Sequence, residues 1–199
     1  MTGADESLAL RYREHRFSRD AVKVLPGGYA VDADGLLMVT TLGSCVAACL
    51  WDPRRGIGGI NHFLLPGTER DAPAPLDDSA RYGTHAMELL FNALMKAGAR
   101  RAELRAKVFG GSNVLASVRG VTVGARNAGF VRAFLRTEGV PVDAEDLGGR
   151  HPRKVHFFPD SGRVMVRQLP MDQQQVAEVE RRYRDTLERT PDGGSVELF

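Results

Sequence analysis

Apolar positions along the chain follow two different spacings, and each predicts its own kind of element. Short runs rich in Val, Ile, Leu and Phe, bounded by glycine- and proline-containing turns, are typical of β-strands. Several such runs, separated by turns, lie within 24–44, and others lie within 45–51, 57–65, 101–114, 140–149, 153–159 and 163–169. Apolar residues three and four positions apart, such as Met87, Leu90 and Phe91, predict helices instead. Helices are predicted over 84–99, 123–139 and 171–189.

The order of these elements indicates the fold class and the domain organisation. Strands, helix, strand, helix and strands in succession predict an α/β (α+β layered) fold. We expect one sandwich-like domain with a β-rich core and flanking helices. The polar, Arg-rich segment 1–22 is expected to be a flexible N-terminal arm, and 68–83 a proline-containing loop. The core domain then spans 23–170, followed by a C-terminal helix and tail over 171–199.

The composition narrows the class of protein. Of the 199 residues, 43% are hydrophobic and 26% charged, as in globular proteins that bury a core. Membrane insertion and export are not expected, because no apolar run approaches ~20 residues and the N-terminus lacks a signal-peptide core. A net charge of +2 with dispersed Arg residues gives no reason to expect nucleic-acid binding. Two cysteines are too few for a secreted disulfide framework, which predicts a cytoplasmic protein with reduced thiols.

One segment, 41–66, contains both cysteines and His62. Asp52–Arg55 fits a type I turn, with Asp first and Pro second. A hairpin centred there pairs Cys45 directly with His62, with their Cβ atoms about 5 Å apart on one face. A thiol and an imidazole at that separation can form a nucleophile and its base. The alternative is that Cys45 is simply a small buried apolar residue.

The turn before Cys45 distinguishes it from the second cysteine. Gly43 and Ser44 precede it, so backbone N–H groups there can point outward and form an oxyanion site. Cys49 lies within an apolar run and is expected to be a buried core residue. The two cysteines and His62 lack zinc-site spacing, and no cofactor motif is present, so neither a metal nor a cofactor is expected. The other histidines are expected to be structural or to lie in the arm: His15, His85, His151 and His156.

Four longer motifs point to a family. They are TTLGSCVAACLWDPRRGIGGINHFLLP, RYGTHAMELLFNALMKAGARRAELRAKVFGGSNV, VGARNAGFVRAFLRTEGVPVDAEDLGG and RKVHFFPDSGRVMVRQL. In this order they resemble the chemoreceptor glutamine deamidases, the CheD family of bacterial chemotaxis. The resemblance spans about Tyr29 to Leu169. It implies a sandwich-like fold related to toxins that deamidate host glutamines, and a catalytic domain over 23–170.

The resemblance also implies the catalytic residues. Cys45 matches the family's nucleophile and His62 its base, with the family's spacing of 17 between them. The family's third member is a threonine six positions before the cysteine, where this chain has Val39. Thr40 and Thr41 follow immediately, so we expect Thr40 to take this role, with Thr41 as the alternative.

The implied reaction converts specific glutamines of methyl-accepting chemotaxis receptors into glutamates. It releases ammonia through a thioester and needs no metal or cofactor. Some members of the family also bind a chemotaxis phosphatase, which makes such a phosphatase a second expected partner. Two other functions stay open: another cysteine amidase, and a non-catalytic chemotaxis adaptor that binds receptors or a phosphatase.

Overall fold

The computed structural model describes residues 8–65, 76–113, 122–170, 178, 180–183 and 185–186. Ten strands and two helices make up most of this described part. The strands are β1 (Ala9–Glu14), β2 (Arg19–Val24), β3 (Tyr29–Asp32), β4 (Leu37–Leu42), β5 (Val46–Asp52), β6 (Ile57–Asn61), β7 (Arg105–Gly110), β8 (Val142–Leu147), β9 (Arg153–Phe158) and β10 (Arg163–Gln168). The helices are α1 (Leu76–Lys96) and α2 (Val123–Thr137), and a short 3-10 turn covers Arg101–Glu103.

The described strands form two five-stranded sheets, one ordered β1-β2-β4-β9-β10 and the other β3-β6-β5-β7-β8. The pairs β2–β4 and β7–β8 are parallel, and the remaining pairs are antiparallel. One apolar cluster joins side chains of both sheets, among them Met38 and Phe157 of the first and Ile60 and Phe109 of the second. The sheets therefore stack face to face, and the predicted sandwich-like α/β fold is confirmed.

Strand β5 lies at the centre of this arrangement and is buried along its whole length. Ala47 and Cys49 face the cluster between the sheets, whereas Ala48 and Leu50 face a second cluster that includes helix residues. Successive side chains of a strand point to opposite faces, so a strand covered on both faces is apolar throughout. This explains the unbroken apolar run around the two cysteines and places that run in the middle of the core.

The predicted flexible arm over 1–22 is wrong for the part that the structure describes. Strand β1 and most of β2 lie there and pair antiparallel along six residues, from Ala9 opposite Val24 to Glu14 opposite Arg19. Strand β2 then pairs in parallel with β4, which ties this hairpin to the first sheet. Residues 1–7 lie outside the described residues, and the other domain boundaries stay a prediction.

The predicted loop over 68–83 is also shorter than expected. Helix α1 begins at Leu76, eight residues before the predicted helix, and ends at Lys96, just before the predicted glycine stop. Residues 68–75 of the loop lie outside the described residues. Helix α2 matches its predicted position, and the side chain of Thr122 caps its first turn by accepting from the N–H of Ala125.

The register predicted for the β5–β6 hairpin is wrong by two residues. Asp52 pairs with Ile57 and Cys49 with Ile60, so the connection has four residues instead of two. Asp52 organises this longer loop, because its carbonyl oxygen accepts from the N–H of Gly56 and its side chain accepts from the N–H of Arg54. The shift preserves which side chains share a face.

The last described residues, 178, 180–183 and 185–186, are all helical and are called here the C-terminal helical segment. They fall within the helix predicted over 171–189, whose other positions and tail lie outside the described residues. No helix in the described part of the chain combines the length and hydropathy that a membrane crossing requires.

Candidate active site

The turn Gly43–Cys45 connects β4 to β5 and holds its carbonyl groups inward. The carbonyl oxygen of Gly43 accepts from the N–H of Ser112 at 2.7 Å, and that of Cys45 accepts from the N–H of Gly111 at 2.7 Å. Both donors follow directly after β7, which pairs with β5. Since the carbonyls are bound on the inner side, the peptide N–H groups of the turn face the opposite way.

Ser44 is held by a side chain from α2. Asn127 is fully buried; its amide nitrogen donates to the carbonyl oxygen of Ser44 at 2.7 Å, and its oxygen accepts from the N–H of Leu65 at 3.0 Å. An amide that uses both its donor and its acceptor in this way fixes two chain segments at once. All three carbonyls of the turn therefore have defined partners.

Gly110 is required where β7 passes the turn. Its φ is +109°, a conformation that side chains rarely adopt, and a Cβ there would overlap the carbonyl oxygen of Cys45. The glycine pair at the end of β7 thus supports the turn that carries the cysteine.

His62 follows β6 and is fixed through its backbone by a second turn. Its N–H donates to the carbonyl oxygen of Gly28 at 3.0 Å, and its carbonyl oxygen accepts from the N–H of Gly27 at 2.7 Å. Two hydrogen bonds on one residue restrict both its position and the direction of its side chain. The imidazole is 2% exposed and lies in the interior beside the cysteine turn.

Thr40 determines which nitrogen of His62 carries the proton. The Thr40 hydroxyl donates to the carbonyl oxygen of Val24 at 2.8 Å and lies 2.8 Å from Nδ1 of His62. A hydroxyl has a single proton, so towards His62 it acts as an acceptor. We therefore assign the Nδ1–H tautomer, which leaves the lone pair on Nε2. That atom is buried and has no hydrogen-bond partner among the described residues.

Burial also sets the charge of this imidazole. It lowers the pKa of His62 from 6.5 to about 4, although the nearby Glu180 carboxylate opposes part of that shift. The imidazole is consequently neutral at neutral pH, the form that can accept a proton at Nε2.

Glu180 of the C-terminal helical segment occupies the outward side of the cysteine turn. Its Oε1 accepts from the N–H groups of Gly43 at 2.8 Å and Cys45 at 3.0 Å. Its Oε2 accepts from the N–H of Ser44 at 2.9 Å and from the Ser44 hydroxyl at 2.8 Å. Three consecutive N–H groups on one carboxylate form an anion-binding nest. The same N–H groups are placed to hold the oxyanion of an acyl-transfer reaction.

Three potential metal ligands lie within 4.8 Å of one another: the sulfur of Cys45, a ring nitrogen of His62 and a carboxylate oxygen of Glu180. This set could hold a metal ion. Both carboxylate oxygens, however, are already directed at the N–H groups of the turn, and a turn of N–H donors favours an anion over a cation.

The second cysteine belongs to the same apolar cluster as Cys45 but lies away from the turn. Cys49 lies in the middle of β5, is fully buried in the cluster between the sheets, and is a thiol like Cys45. Burial raises the pKa of the Cys49 thiol well above its ordinary value, with Lys107 opposing part of the shift. A protonated, enclosed thiol is a poor nucleophile.

Comparisons with known proteins agree with the motifs of the chain. Residues 64–168 match the family described as CheD chemotactic sensory transduction. A probable chemoreceptor glutamine deamidase CheD from Janthinobacterium sp. (strain Marseille) is 50% identical, covering 94% of this chain and 93% of the relative. The protein of the same name from Xanthomonas campestris pv. campestris (strain B100) is 52% identical over 96% of this chain and 94% of the relative. The chain belongs to the CheD family.

A third CheD relative, from Thiobacillus denitrificans, is 50% identical and covers 98% of both chains. The similarity of such relatives therefore extends beyond the family match, which begins after His62. Among solved structures, the Bacillus licheniformis hypothetical protein YfiH aligns with a TM-score of 0.39 and 17% identity, over 59% of this chain and 49% of that chain.

The residues predicted for a CheD-type site lie together in the structure. Cys45 and His62 are adjacent, although they are not paired directly across the hairpin as expected, and Thr40 contacts the imidazole. Thr41 is the next residue of β4, so its side chain points to the other face. The catalytic roles of these residues stay a prediction. Glu180 was not predicted, because a single Glu in a charged helix carries no distinguishing pattern.

Proposed function

We propose that this chain is a protein-glutamine deamidase that converts glutamines of chemotaxis receptors into glutamates. The curated relatives that cover more than nine-tenths of the chain are named as probable chemoreceptor glutamine deamidases. The observation that carries the proposal is the nest of N–H groups at Gly43–Cys45, which lies beside a thiol and a neutral imidazole. These are the parts that acyl transfer from an amide requires.

In the first step His62 acts as the base. Its Nε2 takes the proton of the Cys45 thiol, and the thiolate attacks the side-chain amide carbon of a receptor glutamine. Thr40 is a positioning residue here. Its hydroxyl accepts from Nδ1–H in both charge states of the ring, so Nε2 keeps its orientation during the proton transfer.

In the second step the tetrahedral oxyanion accepts hydrogen bonds from the N–H groups of the turn. The protonated His62 donates its proton to the departing nitrogen, the C–N bond breaks, and ammonia leaves a thioester on Cys45. A water molecule, deprotonated by the same imidazole, attacks the thioester and releases glutamate and the thiol. The net change is amide plus water to carboxylic acid plus ammonia, which needs no redox partner.

The test is to incubate the full chain with cytoplasmic fragments of candidate receptors and to measure ammonia and the mass of each glutamine-containing peptide. We expect conversion of selected glutamines, and none with Cys45→Ala. Free glutamine is the matched control substrate: hydrolysis of free glutamine but not of receptor fragments indicates a small-molecule amidase. Receptor binding that survives Cys45→Ala, with no conversion by either protein, indicates an adaptor.

Two further expectations from the resemblance belong to this proposal. A chemotaxis phosphatase is a predicted second partner, and co-purification of the two proteins tests it. A cytoplasmic location is predicted from the low cysteine content and the intracellular part of the receptors that such an enzyme modifies.

A further inference from the structure

We propose that the C-terminal helical segment regulates the enzyme by occupying its active site, with Glu180 bound in the place of the product glutamate. The inference depends on the proposed function, because the comparison of Glu180 with a product requires that the product be a glutamate. Three separate observations support it: the contacts of the carboxylate, the docking of the helix that carries it, and the enclosure of the thiol.

The contacts of Glu180 are those that a reaction product would make. Its carboxylate accepts four hydrogen bonds, all from the turn Gly43–Cys45, and the side chain is 3% exposed. A buried carboxylate requires such compensation, and this one finds it entirely in the predicted oxyanion site. It also lies within 4.8 Å of the Cys45 sulfur and a nitrogen of His62. A glutamate produced by the enzyme has the same side chain, and its carboxylate forms beside the same sulfur and ring nitrogen.

Gly43 shows how closely the carboxylate approaches the turn. A Cβ at this position would lie 2.9 Å from Oε2 and 3.0 Å from Oε1 of Glu180. Only a residue without a side chain therefore allows the carboxylate this contact. The space beside Gly43 fits a planar group with two terminal heavy atoms, and the amide of a glutamine side chain has the same shape and size.

The helix is docked by a second residue on the same face. Tyr183 lies three positions after Glu180, and residues so spaced share one face of a helix. The Tyr183 hydroxyl is hydrogen-bonded to that of Tyr82 in α1, and its ring packs against the cluster between the sheets. Burial raises the pKa of both tyrosines, which keeps both hydroxyls protonated. On the other side, Arg181 and Arg182 are exposed.

The consequence is a closed enzyme. Cys45 is fully buried and His62 is 2% exposed, so a receptor glutamine reaches them only if the C-terminal helical segment leaves. Intramolecular attachment gives the segment a high effective concentration, and it competes with the substrate at every encounter. A receptor, or a partner that binds the segment when it is displaced, would raise activity by shifting this equilibrium.

The decisive experiment converts the regulatory residue into a substrate. In the full-chain variant Glu180→Gln, the amide oxygen can take the place of Oε1 and accept from the N–H groups of Gly43 and Cys45. The amide nitrogen then takes the place of Oε2, where it donates to the Ser44 hydroxyl and the bond from the Ser44 N–H is lost. We expect the enzyme to hydrolyse this amide in cis, with loss of ammonia, which regenerates glutamate at position 180. Mass spectrometry of the peptide follows the conversion. The double variant Glu180→Gln/Cys45→Ala is the control and should keep the amide, as should the native glutamines at positions remote from the site.

The outcomes separate this inference from the proposed function. If receptor fragments are deamidated but the amide at position 180 persists, the helix does not bind as a product and the inference is overturned. If neither is deamidated, the proposed function is contradicted. Cys45-dependent conversion at position 180 supports the inference, and conversion of receptor fragments supports the proposed function.

A second measurement needs no substrate. We expect iodoacetamide to label Cys45 about tenfold to hundredfold faster in Glu180→Ala than in the unchanged protein, because several charge-assisted hydrogen bonds that hold the segment closed are lost. Labelling of Cys49 should not change. Glu178→Ala is the matched control: it lies on the same helix, is bonded to Arg182 on the surface, and should leave the rate unaltered. Equal rates in all three proteins would overturn the inference.

Discussion

Thr40→Val tests whether the hydroxyl beside His62 controls the reactive tautomer. Thr40 is fully buried, and valine has nearly the same shape, so packing in β4 is retained. The substitution removes the acceptor for Nδ1–H of His62 and the donor to the carbonyl oxygen of Val24. Among the described residues the carbonyl oxygen of Val24 also interacts with the imidazole, but the ring loses the hydroxyl that is its partner at 2.8 Å from Nδ1.

The expected magnitude follows from these two bonds. A buried donor left without its partner costs about 1–3 kcal/mol, and each 1.4 kcal/mol is a factor of ten in an equilibrium. The tautomer with the proton on Nε2, which cannot accept the thiol proton, gains by this amount. We expect turnover to fall by about tenfold to hundredfold. Loss of the hydrogen bond from the Thr40 hydroxyl to the carbonyl of Val24 should also lower the free energy of unfolding by about 1 kcal/mol.

The assay is turnover of a saturating receptor fragment, together with urea unfolding of each protein. Thr40→Ser should restore most of the activity, because it keeps the hydroxyl, and this separates orientation of the ring from mere packing. Thr41→Val is the matched control on the same strand and should retain activity. Full turnover in Thr40→Val, or no rescue by Thr40→Ser, would refute the assigned tautomer and the role of Thr40.

Three further predictions concern the same site. Cys45→Ala should abolish deamidation while Cys49→Ala keeps most of it, and equal losses in folded proteins would contradict the assignment of the nucleophile. Gly43→Ala should lower kcat/KM at least about tenfold, since its Cβ fills the space used by the carboxylate. It should also speed iodoacetamide labelling of Cys45, because the same Cβ displaces Glu180; slower labelling would count against this. His62 has a pKa that burial lowers from 6.5 to about 4, so the unfolded chain binds more protons between these values. Its contribution to stability is therefore complete above pH 6.5 and is lost as the pH falls towards 4. The difference in urea midpoint between the unchanged protein and His62→Gln should shift with pH in that window, and a constant difference would refute it.

The elements that sequence patterns predicted best are those with at least one clearly apolar face. Helix α2 and strand β9 carry such patterns and lie where expected, whereas the edge strand β10 was predicted mainly from the turn that joins it to β9. Strand β1 carries no such pattern, because it forms the edge of its sheet and most of its side chains, including Leu10, are exposed. An edge strand without a buried face has no hydrophobic alternation, and its existence depends on backbone pairing to β2 that no local signal reveals.

The site was predictable to the same extent. The turn before Cys45 and the proximity of His62 could be inferred, since a two-residue change in register leaves both side chains on one face. The error in register came from the loop after Asp52. The Asp52 carboxylate accepts from the N–H of Arg54 and favours a connection of four residues over one of two. The contribution of Asn127 and of the C-terminal helical segment could not be inferred, because these contacts join residues 83 and 135 or more positions apart.

The chemistry proposed for the turn in catalysis also makes it open to inhibition. N–H groups that stabilise an oxyanion also bind any carboxylate that reaches them, and the product of a glutamine deamidase is a carboxylate. Such an enzyme is therefore inhibited by its own product unless product release is favoured by the charge that the reaction creates in the receptor helix. A glutamate carried on the enzyme's own helix uses this affinity without consuming substrate. Glu180 fits this role, since its carboxylate accepts four hydrogen bonds from the turn. A regulator of this kind then needs only one carboxylate, placed one turn before Tyr183 on a helix that Tyr183 docks.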